Sequence, residues 1–240
     1  TDVSDSSKAW HSFCFSTPSP YMGMEEDIQD VHQLIINDLV VAEFSTMAQA
    51  NLVAKRLRSW IQEKMFSPSD LVAQIRDKKV LGLTKDKVLF EVDQAASQLL
   101  GQNRDTIAIA WVNNLRRALH ATPIPLVDAQ VKLYGLQGTG ETMDGTASWY
   151  GPYFHGRQTA SGEYFHEAEL TVAHKSLPFD TFLKVTNLEN DQSVVVRVND
   201  RGPYIGERSL DLSRNAAQCL GSEDKGVIPY QAVIMKRASN

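Results

Sequence analysis

Val194-Val195-Val196-Arg197-Val198-Asn199-Asp200-Arg201-Gly202-Pro203 runs from a valine-rich segment into an acidic, glycine-proline-terminated turn. Four valines in five positions argue a strand, and Gly202-Pro203 ends its pairing. By the period of two, Val194, Val196 and Val198 share one face, and Asp200 is expected to continue that parity to the strand mouth. Working outward, Ser209-Leu210-Asp211-Leu212-Ser213 reads as a second short strand with its own carboxylate. Ser213 then caps a helix over Arg214 to Leu220, which Gly221 stops. Upstream, Thr159-Ala160-Ser161-Gly162-Glu163 is a turn ending in an acid, and Leu170-Thr171-Val172-Ala173-His174 a short strand ending in an imidazole.

Ordered along the chain, these pieces are similar to the rare lipoprotein A (RlpA)-like group of septal lytic transglycosylases, a double-psi β-barrel family. The likeness covers Gly145 to Met235. It is carried by Ala147-Ser148-Trp149-Tyr150-Gly151, Thr159 to Glu163, Ala173-His174, Leu177-Pro178-Phe179, Lys184-Val185-Thr186-Asn187-Leu188, Asn199-Asp200-Arg201-Gly202-Pro203 and Asp211-Leu212-Ser213. The resemblance implies cleavage of peptidoglycan glycan between N-acetylmuramic acid and N-acetylglucosamine, leaving 1,6-anhydro ends, on strands preferably stripped of stem peptides. It makes Asp200 the leading catalytic acid, with Glu163 and His174 as further active-site positions. Asp211 falls where related expansin-type barrels also keep a functional acid.

The residue chemistry agrees with that expectation. Glycosidic cleavage needs a carboxylic acid protonated in the ground state, which gives its proton to the leaving oxygen. A hydrolase needs a second carboxylate, whereas a lytic transglycosylase uses the sugar's own 6-hydroxyl as nucleophile. Clustered acids such as Asp200, Asp211 and Glu163 push one another toward the protonated form, while Arg197, Arg201 and Arg208 nearby would act oppositely on contact. Each residue also has a structural reading: Asp200 as a turn former, Asp211 holding the psi loop or capping the helix, His174 as a satisfied core histidine, Glu163 as a solvated surface acid. Among the aromatic residues beside the motifs, Trp149 and Phe154 read as barrel core. Tyr153 and Tyr204, with Arg201, are expected to meet the sugar.

Composition sets the outer limits. The 240 residues are 42% hydrophobic and 22% charged, with room for two domains. Net charge is −5, with 14 basic and 18 acidic side chains in residues 1–145 and 10 and 11 in residues 146–240. Neither half has the basic surplus that grips nucleic acid. No apolar run approaches the ~20 residues that span a bilayer. The chain opens on Thr1 without a charged-then-apolar leader, as expected of a trimmed chain, so a periplasmic or envelope location rests on the resemblance. Cys14 and Cys219 either pair or stay separate thiols, and the scattered histidines support neither metal nor cofactor.

The expected organisation is an α+β N-terminal domain followed by an all-β C-terminal double-psi β-barrel. A flexible arm occupies residues 1–20, an accessory domain of unknown ligand 21–128, a glycine-rich linker 129–144 and the barrel 145–240. Within the accessory domain, Leu39–Phe44 reads as a strand. Ser45 or Thr46 caps a helix carrying Ala50, Val53, Leu57 and Ile61, with Trp60 at its buried edge. Three short strands follow over 71–75, 79–83 and 87–92, then a helix lined by Ile107, Trp111, Leu115 and Leu119. Leu126 to Leu136 fits a helix or a strand. The order of elements has a faint likeness to SPOR domains, which bind stripped glycans. Two other functions remain open on the sequence: a non-catalytic expansin- or barwin-like glycan-binding module, and a structural component of a division or envelope complex.

Overall fold

The computed structural model describes residues 31–64, 66–204 and 206–238, with only the backbone at Pro152. The expected arm of residues 1–20, and Cys14 within it, lie outside the described residues. The described chain divides into two compact units between Leu136 and Gln137.

The N-terminal unit begins with the hairpin β1 (His32–Ile36) and β2 (Leu39–Phe44). Its two-residue turn places Asn37 and Asp38 at φ 49° and 63°, the left-handed pair that matches strand twist. Helix α1 (Met47–Gln62) is capped by Thr46, whose side chain accepts from Gln49 N. It buries Ala50, Val53 and Leu57, whereas Ile61, expected on the same face, is exposed. A meander follows of β3 (Leu71–Arg76), β4 (Lys79–Thr84) and β5 (Lys87–Val92), all antiparallel. Gly82 lies under the ring of Phe90, and a Cβ there would overlap the ring atoms.

Helix α2 (Gln94–Leu100) was not expected: seven residues are too few to display a helical period, although Asp93 caps it by accepting from Ala96 N. Helix α3 (Arg104–Ala118) is the hub, burying residues around most of its girth. Trp111 on α3 packs against Phe44 and Phe90 at ring-centroid distances of 4.8 and 5.3 Å. Arg116 turns inward and donates to the carbonyls of Ser69, Leu71 and Thr122 at 2.6, 3.1 and 2.7 Å, tying the chain before β3 to the turn after α3.

The segment left open between helix and strand is helix α4 (Leu126–Tyr134), closed by Gly135 at φ 64°. The residues expected as a linker, 129–144, are therefore the end of α4 and the start of strand β6 (Leu136–Trp149). Most of that strand before Ala147 is exposed or half-buried, so its composition imitates a linker. Gly145 meets a structural need, because a Cβ there would lie 2.5 Å from Ser209 Oγ.

The second unit closes β6 into a six-stranded barrel with β7 (Thr171–His174), β8 (Phe182–Asn187), β9 (Ser193–Asp200), β10 (Leu210–Leu212) and β11 (Val227–Arg237). The strand order is β10-β6-β11-β8-β9-β7, returning to β10. Neighbours are antiparallel in β7/β10, β8/β9 and β8/β11, and parallel in β7/β9 and β6/β10. Parallel pairing demands a long connection, which the intervening strands supply. The core holds Leu183, Val185, Val196, Val198, Leu212 and Tyr230, each at most 1% exposed. Val194, Val195 and Val196 are all buried, so both faces of β9 are covered, with helix α5 (Arg214–Cys219) packing against the strand. Ser213 caps α5, accepting from Ala216 N. Cys219 on α5 is not a free thiol.

The expected parity fails at one point. Val172 pairs with Val198 but Ala173 pairs with Asp200, so Asn199 is an extra residue in β9. That bulge turns Asp200 away from the valine face and toward the face of Ala173.

Candidate active site

Four residues align in one row across four adjacent strands. Ser148 of β6 pairs with Asp211 of β10, Asp211 with Ala173 of β7, and Ala173 with Asp200 of β9. In-register partners point to the same face of a sheet, so the two carboxylates flank the methyl group of Ala173. Tyr150 and Phe165 pack on that methyl as a small buried cluster, their rings 4.9 Å apart.

Asp200 accepts three hydrogen bonds. Oδ1 takes the backbone N–H groups of Ala160 and Arg201, both at 2.8 Å, and Oδ2 takes the Tyr150 hydroxyl at 2.8 Å. Burial, and then the bond to Asp200, raise the Tyr150 phenol far above its ordinary range, so it stays a donor. The Ala160 contact comes from the turn Thr159 to Glu163, which closes on itself through Thr159 N to Glu163 O at 2.7 Å. The same turn is stitched to the end of β9 by Ser161 N to Asn199 O.

Glu163 faces Arg197 in a two-pronged ion pair with both contacts at 2.8 Å, and its Oε2 also accepts from Asn199 Nδ2. The Arg197 guanidinium, with Asn199, holds the Glu163 carboxyl below its ordinary range against the opposing effect of burial. Arg197 also reaches Asp180 at 2.9 Å. Glu163 thus fastens the turn that presents Ala160 N to Asp200.

Asp211 is set differently. Oδ1 accepts from Ser148 Oγ at 2.7 Å, and Ser148 Oγ in turn accepts from Arg208 Nη1 at 2.8 Å. Burial raises the Asp211 carboxyl, and the Asp200 charge adds to that, while Ser148 and Arg208 oppose it.

His174 follows Ala173 on β7. Its Nδ1 accepts from the N–H groups of Ser176 and Leu177 at 3.1 and 2.9 Å, which puts the ring proton on Nε2. Burial, with Arg201 and Lys175 nearby, lowers its pKa, so the imidazole is neutral at pH 7. Arg201 sends its guanidinium to the carbonyls of His174 and Leu177 and over the Phe179 ring at 3.8 Å, bracing the loop after β7 and leaving the Asp200 carboxylate to the backbone N–H. Tyr153 and Tyr204 stand 83% and 76% exposed.

Residues 142–232 match the protein-family model described as lytic transglycolase. The matched span begins within β6 and takes in every residue of the row. The barrel unit is an RlpA-like double-psi β-barrel domain.

The chain is 41% identical over 200 residues to the probable endolytic peptidoglycan transglycosylase RlpA of Synechocystis sp., covering 76% of this chain and 60% of that one. It is 51% identical over 96 residues to the endolytic peptidoglycan transglycosylase RlpA of Campylobacter jejuni, covering 40% of this chain and 35% of that one. A 200-residue alignment exceeds the RlpA-like domain, so the likeness to the Synechocystis protein extends into the N-terminal unit. Among solved structures, the apo expansin of Clavibacter michiganensis aligns over 42% of this chain and 53% of that one, with TM-score 0.34 and 26% identity.

Within the RlpA-like domain the row brings Asp200 and Asp211 together, with His174 beside it, while Glu163 is held apart from the row by Arg197 of β9. Sequence reasoning missed Tyr150, which read only as one aromatic among several; its signal was its place two residues after Ser148. It also missed Tyr164, 74% exposed, which the Gln158–Tyr164 bridge presents beside the turn. His155 and His166 both lie at exposed positions and meet edge to face, their ring centroids 4.7 Å apart. Among the described residues no cluster of three or more metal-ligating side chains occurs, and no helix is long and apolar enough to cross a membrane.

Proposed function

We propose that this protein is an endo-type lytic transglycosylase of the cell envelope. It cleaves the bond between N-acetylmuramic acid and N-acetylglucosamine in peptidoglycan glycan and leaves 1,6-anhydro ends. The observation that carries the reading is the pair of carboxylates, Asp200 and Asp211, set on either side of Ala173 in one cross-strand row. Two acids at that spacing meet the need for proton donation and proton uptake around one glycosidic bond. The names of the Synechocystis and Campylobacter relatives support the same substrate.

In this reading Asp200 and Asp211 touch the sugar, and His174 offers Nε2–H at the rim. Glu163, Arg197 and Tyr150 hold the acids in place. Tyr153, Tyr164 and Tyr204 supply flat apolar faces for sugar C–H edges. The N-terminal unit acts as an accessory module that places the barrel on glycan or on an envelope or division partner. If glycan is its ligand, that unit within the full chain adds to retention on sacculi stripped of stem peptides.

Mass spectrometry of the products from intact and stripped sacculi, with the parental protein and Asp200→Asn, tests the function. Anhydro-ended sugars from the parental protein alone are expected. Reducing-end sugars would identify a hydrolase, and binding without products would identify a glycan-binding module.

A further inference from the structure

Asp200 and Asp211 belong to the same row but have opposite hydrogen-bonding surroundings. Both oxygens of Asp200 are engaged as acceptors, from Ala160 N, Arg201 N and Tyr150 Oη. Asp211 accepts one bond among the described residues, from Ser148 Oγ to Oδ1, which leaves Oδ2 to carry a proton. Two inter-strand steps separate their backbones, about 9–10 Å.

Resting on the transglycosylase reading, we propose that the two acids divide the reaction: Asp211 is the proton donor and Asp200 the base. Asp211 gives its proton to O4 of the departing N-acetylglucosamine as the bond from C1 of N-acetylmuramic acid to that oxygen breaks. O6 of the same N-acetylmuramic acid then bonds to C1, and its hydroxyl proton passes to the Asp200 carboxylate. The sum is one proton moved from Asp211 to Asp200, with no water consumed. Exchange with solvent restores both acids before the next turnover. Resemblance alone put the donor role on Asp200; the row and its hydrogen bonds move it to Asp211.

The groups facing Asp211 bear on its proton. Arg208, through Ser148, favours the carboxylate; Asp200 on β9 and burial favour the acid. The β7 residue next along from Ala173 is His174, neutral at Nδ1, and Tyr150 follows β6 as an uncharged phenol. Replacing Ser148 removes a donor that favours the carboxylate, so the Asp211 acid should persist to higher pH.

The test compares two substrates: stripped sacculi, and the 2,4-dinitrophenyl β-glycoside of N-acetylglucosaminyl-N-acetylmuramic acid, whose phenolate leaves without protonation. Asp211→Asn should lose about 10²- to 10⁴-fold on sacculi and be rescued to within about tenfold of the parental rate on the aryl glycoside. Asp200→Asn should fall on both. Rescue of Asp200→Asn instead, or equal losses by Asp211→Asn on both substrates, would overturn the assignment. Ser148→Ala gives a second reading in a folded background: the alkaline limb of the pH–rate profile should move to higher pH, and an unmoved limb also counts against Asp211 as donor. Parental protein that releases no anhydro sugars would sink the transglycosylase reading itself, whereas an active parental protein with the reversed pattern sinks only the division of roles.

Discussion

The hydroxyl of Tyr150 and the carboxylate of Asp200, fifty residues apart in the chain, are joined by a 2.8 Å hydrogen bond. The tyrosine ring is itself wedged among Ala173, Phe154 and Phe165. The aromatic packing therefore fixes where the carboxylate points. Tyr150→Phe keeps the ring and deletes the bond. Folding stability should change by no more than about 1.5 kcal/mol, while turnover on stripped sacculi falls roughly tenfold or more with KM little changed. A fall in melting temperature that accounted for all the lost activity would contradict the positioning role.

Glu163 and Arg197 give a pH signature of stability. The folded carboxyl titrates below its ordinary value of 4.5, so its contribution is present in full above that value and is lost as pH falls through the folded one. Glu163 is partly exposed, so removing the pair in Glu163→Gln should cost about 1 kcal/mol at pH 7. Thermal melts of the parental protein and the variant should converge as pH falls below 4.5. A gap that stayed constant as pH fell would rule out the ionised pair as its source.

The exposed tyrosines predict a binding effect without a chemical one. Tyr153→Ala, Tyr164→Ala and Tyr204→Ala should each weaken retention on stripped sacculi roughly 3- to 10-fold, in line with an aromatic contact of about 0.5–1.5 kcal/mol. The rate at saturating substrate should be retained. Equal loss of rate and of binding in all three would place these rings in the chemistry instead.

Gly82 tests the N-terminal unit separately. Phe90 is 1% exposed and covers the place a Cβ would take, so the ring cannot swing aside into solvent. Gly82→Ala should destabilise that unit by about 2–3 kcal/mol, seen as an earlier first transition in denaturant unfolding. An unchanged transition would show that the ring relocates freely.

Much of the fold is legible in local sequence. The strands at 71–76, 79–84 and 87–92 follow from short apolar runs between charged turns, and Thr46 and Ser213 both appear as helix caps where side-chain chemistry predicts them. The misses have physical reasons. Strand β6 is glycine-rich and largely exposed before Ala147, so its membership in the barrel depends on partners more than sixty residues away. Helix α2 is shorter than two full turns. The bulge at Asn199 cannot be read from β9 alone, because it arises from a register shift against β7. For the site, residue types at Asp200, Asp211, Glu163 and His174 marked candidates, but partners distant in sequence set two of them: Asp200 accepts from Tyr150 and from Ala160 of the 159–163 turn, and Asp211 from Ser148.

The β6/β10 pairing joins Ser148 to Asp211 across 63 positions of sequence, and it is parallel, so no hairpin can form it early. The carboxylate pair consequently does not exist in any shorter fragment: a chain halted before Leu210 has Asp200 but lacks both Asp211 and the strand that seats beside Ala173. Loop closure over that distance comes late, and competence for the proposed chemistry arrives with ring closure as a single event. On the proposed function, a nascent or half-unfolded copy would be inert, and the appearance of anhydro sugars during refolding should keep step with completion of the barrel.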